Sequence, residues 1–279
     1  MFKDLMLCLT ATPGDEEALA AGVSLAGAFS ARLTVLRLLS LPRAAASTWG
    51  MVPDAALADV YRRLRAQGEV ELERLRARLA PVVANSEARL VEAALLAPGR
   101  IAARQAHCAD LCIVAGPDAG ADGEAASAYF LSLLLESGRP VLMVPPGSRV
   151  MLPAERVMVA WRPAREAARA VHDALPLLMR ASAVDVLAVD ARDGDPAEGD
   201  TSGAELALHL GRRGIDATLV RRDSGSRPVS AVLLEHAREH GAQMIVAGGY
   251  GHSRLREWAL GGVTRELLKT ASVPVLYSH

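Results

Sequence analysis

Twice along this 279-residue chain the same order of short segments occurs. In the first half the apolar run DLCIVAG (Asp110 to Gly116) is followed by a variable stretch, a helical segment and SGRPVLMV (Ser137 to Val144). In the second half QMIVAGG (Gln243 to Gly249) is followed by a variable stretch, a helical segment and ASVPVLYS (Ala271 to Ser278). Such a repeat means that one folding problem is solved twice. It predicts two similar domains, residues 1–147 and 148–279, joined near Pro145-Pro146-Gly147-Ser148.

Within each copy, runs of strand length alternate with segments of helical spacing. Strands are predicted at Asp4 to Thr10, Arg32 to Leu39, Arg89 to Ala94, Leu111 to Ala115 and Arg139 to Pro145. In the second copy they fall at Arg156 to Trp161, Val184 to Asp190, Ala217 to Arg221, Met244 to Ala247 and Val273 to Tyr277. Helices are predicted between them, the longest from Ala55 to Val83, where Val60, Leu64, Val70, Leu72, Leu75 and Leu79 recur at helical spacing against an Arg/Glu face. Pro42 to Pro53, Gly116 to Ala126 and Asp193 to Gly203 read as loops. Alternation of this kind requires right-handed crossovers and a parallel sheet. The fold class is therefore α/β: two tandem doubly wound, Rossmann-like domains, each with a five-stranded parallel sheet and its ligand end at the carboxyl ends of the strands.

Aromatic residues are only 4% of the chain, so its core must be aliphatic. A net charge of −1, with the Arg-rich stretch from Arg62 to Arg78 interleaved with Glu, argues against nucleic acid as a partner. No apolar run reaches the length of a membrane span, and three cysteines without paired spacing (Cys8, Cys108, Cys112) read as buried free thiols. A soluble cytoplasmic protein with no membrane partner is expected.

The stretch with most chemistry is Gln243 to Thr264, QMIVAGGYGHSRLREWALGGVT. A strand ends in a glycine turn at Gly248, Gly249 and Gly251, and a second glycine pair, Gly261 and Gly262, precedes a helix. Glycines let backbone approach an anion closely, and a helix start directs its N–H groups at it. The chain has neither a Gly-x-Ser-x-Gly elbow nor a Gly-x4-Gly-Lys loop, which removes the common hydrolase and NTPase signatures.

Gly248-x2-Gly251, nine residues, then Gly261, between the MIVAGG and VPVLY strands, resembles the nucleotide-binding signature of the universal stress protein family in its tandem two-domain form. The resemblance implies an adenine-nucleotide-binding protein, a sensor or regulator in stress response, holding ATP, or AMP or ADP, with Mg²⁺ accompanying the nucleotide. It implies phosphate contacts at Gly248, Gly251, Gly261, Gly262, Val263 and Thr264, the ribose near Ala247, and adenine near Ala160 and Val189. It also implies that the Pro-Val-Leu strands at Val141 to Val144 and Val275 to Tyr277 join the halves as an intramolecular pseudo-dimer, with a further homodimer open to it.

This sequence departs from the family pattern in two places. Gly262 stands where Ser or Thr usually follows the third glycine, and the usual aspartate at the end of the first strand is Arg162 in the second half and Thr10 in the first. After Gly116 the first half has Gly120 and Gly123 at the wrong spacing and no glycine pair. One nucleotide per chain is expected, the first half serving for packing. The alternatives are a nucleotide-free interaction scaffold and a slow ATPase, and no catalytic residue is assigned.

Other polar residues receive structural readings. His252, Arg254 and Arg256 read as solvated loop residues and Trp258 as a packing or lid residue. His107, Cys108 and Cys112 are not a metal set, because Cys112 falls inside a predicted buried strand. His236 and His240 stand four apart on a predicted helix, a spacing that suits a metal, yet no third ligand is evident; they read as a solvated helix end and no metal is assigned.

Overall fold

The computed structural model describes residues 1–40, 46–47, 50–51, 54–93, 97–118, 123–190, 203–249 and 262–279. In the first half β1 (Asp4–Leu9), β2 (Arg32–Ser40), β3 (Ser86–Ala93), β4 (Leu111–Ala115) and β5 (Val141–Val144) alternate with α1 (Asp15–Phe29), α2 (Asp54–Leu79), α3 (Pro98–Gln105) and α4 (Gly123–Glu136). The second half repeats this with β6 (Arg156–Trp161), β7 (Ala183–Val189), β8 (Ala217–Arg222), β9 (Met244–Gly248) and β10 (Val275–Ser278). Its helices are α5 (Arg165–Leu178), α6 (Ala204–Gly211), α7 (Val229–Glu239) and α8 (Gly262–Thr270). A pair of two-residue strands, Ala46–Ser47 and Gly50–Met51, lies within the stretch read as a loop from Pro42 to Pro53.

The ten strands form one sheet in the order β8-β7-β6-β9-β10-β5-β4-β1-β2-β3. Within each half all neighbours are parallel, while β10 and β5 meet antiparallel, with Leu276 opposite Leu142 and Tyr277 opposite Val141. Each half is thus a five-stranded, doubly wound unit, and the two Pro-Val-Leu strands make the seam. The central strands are apolar at nearly every position because helices cover both faces: every residue of β4, β5 and β10 is buried. The outer strands carry charge instead. Arg221 and Arg222 are exposed on β8, and on β3 Glu87 pairs with Arg32 and Arg89 while Glu92 pairs with Arg65. Charge on an edge discourages another chain from adding to it.

Helices lie on both faces in the pattern that right-handed crossovers require. α1, α2, α5 and α6 contribute to one apolar cluster, which runs from Leu5 and Leu7 through Leu142 and Val144 to Val157 and Val186. α3, α4, α7 and α8 contribute to the other, from Met6 and Cys8 through Met143 and Tyr277 to Ile245 and Leu187. Both cores therefore continue across the seam. On the second face, Phe130 of α4 meets Tyr277 of β10 edge to face at 5.1 Å, a favoured aromatic geometry.

Some predicted boundaries shift. β3 begins at Ser86 rather than Arg89, and α4 begins at Gly123, so the end of the supposed Gly116 to Ala126 loop is helix. Cys8 and Cys112 are buried as expected, but Cys108 is exposed, because it closes the short turn after α3 rather than entering a strand.

Candidate functional site

The direction of the crossovers reverses between β6 and β9. From β6 the chain leaves over α5 on one face, and from β9 it leaves over α8 on the other. That arrangement opens a crevice outside the carboxyl ends of these two strands. Ala160 and Ala247 are register partners across it, and both face the α7 and α8 side together with Val189. Ala247 is buried, while Ala160 and Val189 are half-buried. Two alanines opposite each other leave the floor shallow, with no side chain to fill the crevice from below.

Gly248 faces the other way, onto the first turn of α5. A Cβ on Gly248 would lie 2.7 Å from the amide nitrogen of Ala167 and 2.8 Å from the carbonyl carbon of Glu166. Glycine here sets how closely strand and helix approach. Gly249 is buried; its N–H donates to Ser278 O at 2.8 Å, and His279 Nδ1 lies 3.2 Å from Gly249 O. Leu134 of the first half closes in from α4, 2.8 Å from where a Gly249 Cβ would stand. The glycine turn is thereby clamped between the last strand and a helix of the other half.

At the far side of the same connection α8 starts at Gly262, exposed, with no atom of the described residues within 4 Å of the place a Cβ would take. Val263 is exposed and Thr264 buried. The first turn of α8 has no acidic residue, so no carboxylate of that turn offsets the positive end of its dipole. Of the nine residues expected to contact ligand, Ala160, Val189, Ala247 and Gly248 gather at the strand ends, and Gly262, Val263 and Thr264 form the helix start. Gly251 and Gly261 lie outside the described residues, as do His252, Arg254, Arg256 and Trp258.

The structure adds residues that the sequence pattern missed. Asp190 ends β7 in the left-handed region, φ 56°, and its carboxylate accepts from Ser224 N and Ser224 Oγ, both at 2.7 Å. It ties the rim of the crevice to the turn before α7. Trp161, half-buried at the end of β6, packs against Gly203 at the start of α6, where a Cβ would stand 3.3 Å from its ring. A polar residue just after the VDVLAV run, and a tryptophan just before Arg162, were the signals available.

The first half fills the corresponding place with its own groups. The Asp15 carboxylate accepts from Thr10 N at 2.9 Å, Ala11 N at 2.8 Å and Thr10 Oγ1 at 2.9 Å. Burial pushes the Asp15 carboxyl above its ordinary range, although these hydrogen bonds pull the other way. At the start of α4 the carbonyl oxygen of Asp118 lies 2.4 Å from where a Gly123 Cβ would stand. A carboxylate already caps the strand end, and a carbonyl crowds the helix start.

Crossovers that reverse direction within one half of a duplicated, mostly parallel sheet place the chain among the doubly wound α/β proteins, a class whose ligands bind outside the carboxyl ends of the strands. The lineage is more specific. Residues 153–279 match the model of the universal stress protein family. The whole chain shares its fold with a universal stress protein from Archaeoglobus fulgidus DSM 4304, at 16% identity and a TM-score of 0.74, over 99% of this chain and 96% of that one. A functionally unknown protein from Pseudomonas aeruginosa PAO1 is similar at 15% identity and a TM-score of 0.59, over 99% of this chain and 92% of the other. At these identities the likeness is one of fold. No curated protein matches the chain by sequence.

Proposed function

We propose that the chain binds one adenine nucleotide, in the crevice of its second half, and acts as a nucleotide-responsive regulator in the cytoplasm. The observation that carries this is the glycine start of α8, at the end of the connection that leaves β9 through Gly248 and Gly249. Gly262 is exposed there, and no atom of the described residues lies within 4 Å of the place its Cβ would take. Phosphates would rest on the backbone of Gly248, Gly251, Gly261, Gly262 and Val263, with the Thr264 hydroxyl close by. The ribose would lie by Ala247 and the base over Ala160 and Val189. Mg²⁺ would arrive with ATP, neutralising its phosphates. In this reading the chain divides at Gly147-Ser148, and the first half, its strand end capped by Asp15, keeps the seam together without holding a nucleotide.

The residues fit such a group in a checkable way. The contact of Gly248 with α5 is one that a side chain would fill, and small residues at 160 and 247 leave the floor clear. The proposal is tested by denaturing purified protein and assaying the supernatant for nucleotide. ATP, ADP and AMP are then titrated by calorimetry, the first two with Mg²⁺, using Gly261→Asp as control. One site in the wild type, lost in the variant, is expected. No nucleotide and no heat would leave the nucleotide-free scaffold as the reading, and turnover above the buffer background would make the protein a slow ATPase.

A further inference from the structure

α7 presents two histidines one turn apart, His236 and His240, on the face that lies over β7. The third member of the group comes from the sheet. Asp185 stands near the amino end of β7, where a carboxylate is out of keeping with the apolar residues around it. His236 Nε2 is 2.9 Å from Asp185 Oδ2, and His240 Nδ1 is 4.0 Å from the same oxygen. The two imidazoles are stacked, centroids 4.0 Å apart and planes 24° from parallel. One ligand atom of each residue lies within 4.8 Å of the other two. His236 is therefore no solvated helix end. It is 2% exposed, and its partner is a charge on the strand beneath.

We propose that Asp185, His236 and His240 form a binding site for a divalent transition-metal ion of the zinc class. Three observations converge on it. First, the donor set is two imidazoles and one carboxylate, the borderline N and O donors that suit Zn²⁺ and its neighbours rather than Ca²⁺ or Mg²⁺. Second, ligand bonds of about 2.1 Å in a tetrahedral site put donor atoms roughly 3.4 Å apart. The observed 2.9 and 4.0 Å bracket that spacing, so small side-chain adjustments close it. Third, the group is graded in depth: His236 is buried, the Asp185 side chain is 24% exposed and that of His240 is 42% exposed. An ion has a path in through His240, and a fourth position is left for water.

A hydrogen-bonded pair alone explains less. It accounts for the contact of His236 with Asp185, but the 4.0 Å separation of His240 from that carboxylate is too long for a hydrogen bond. His236 Nδ1 is buried with no partner among the described residues. Arg222 acts on His236 as a positive neighbour, so the Asp185 charge is what would let the site hold a dication. The site lies on the same strand as Val189 but towards its other end, and the proposal is independent of the nucleotide reading.

The test uses the full-length chain without a histidine tag, stripped with a chelator and desalted. Zn²⁺ is titrated by calorimetry, and Co²⁺ is followed by its visible absorption. One equivalent bound with micromolar affinity or better is expected, with cobalt bands of a low-symmetry N/O site and a rise in Tm on adding Zn²⁺. His240→Ala and Asp185→Asn should each weaken binding by at least about tenfold, since even residues that only orient a ligand contribute that much. His240 is exposed, so its variant should fold, which circular dichroism checks. His209→Ala, a surface histidine on α6, should bind as the wild type does. Absence of a site in the wild type, or binding that persists in both variants, overturns the proposal and leaves a histidine–carboxylate pair of structural use only.

Discussion

Gly248 faces the main chain of Ala167, where β9 meets the first turn of α5, and a methyl group on Gly248 would stand 2.7 Å from the Ala167 amide nitrogen. Because the obstacle is main chain, it cannot rotate away. Gly248→Ala should cost about 1–3 kcal/mol, the usual penalty of overpacking, read as a lower urea midpoint at unchanged slope. The first half resolves the same contact from the other side. Ala115 stands where the repeat aligns Gly248, and the glycine is on the helix start, where a Gly14 Cβ would be 3.2 Å from Ala115 Cβ and 3.1 Å from Pro146 Cγ. Gly14→Ala meets side chains only, so it should be the milder change. Equal stability of wild type and Gly248→Ala would contradict this account.

The seam gives a second expectation. Tyr277 is fully buried, its hydroxyl has no partner among the described residues, and burial pushes its ionisation upward. A buried hydroxyl without a partner costs stability. Tyr277→Phe should therefore be as stable as the wild type or more so, while Phe130→Ala, which removes the ring that meets it edge to face, should lose about 3–5 kcal/mol. Chemical denaturation of both variants checks the pair. A loss of more than about 1 kcal/mol in Tyr277→Phe would mean that the hydroxyl is engaged after all.

The three cysteines should separate by reactivity. Burial pushes the Cys112 thiol up to about 12 and that of Cys8 well above its ordinary range, whereas Cys108 is exposed. In native protein a thiol reagent should modify Cys108 alone, with Cys8 and Cys112 reacting only on unfolding. There is a linked effect on stability. A thiol whose folded pKa is raised contributes stability that is fully present below the unfolded value, about 8.5, and is lost as pH climbs through the folded one. Stability should thus decline from about pH 8.5 upward, and Cys112→Ala should flatten that decline. Three fast thiols in the native state would count against the buried placement.

Much of the architecture could be read in advance because the central strands are buried on both faces. LCIVA and MIVAG leave little choice about what they form, and the matching VPVLY and RPVLMV runs mark the seam where β10 and β5 meet. What escaped was whatever depends on facing. The spacing of His236 and His240 fixes that they share a helix face, but not that the face lies over Asp185. In VDVLAV the aspartate reads as one polar residue in a strand. The start of α4 was missed because Gly123 and the alanines after it carry no apolar periodicity. The Asp15 and Asp190 caps depend on left-handed residues at Ala11 and Asp190 itself, which composition does not announce. For the crevice, sequence spacing indicated the glycines, and the sheet showed that Ala160 and Ala247 lie opposite each other.

The antiparallel meeting of β5 and β10 turns one half upside down relative to the other, so the carboxyl ends of their strands emerge at opposite rims of the sheet. Duplication has therefore not produced two sites that could share a ligand or hand it across. It has produced a molecule with polarity, in which the Asp15 carboxylate caps the first strand end at one rim while the glycine turn stands at the other. Leu134, near the end of α4, reaches from the first half onto Gly249, so the rim of the second half is built partly from the first.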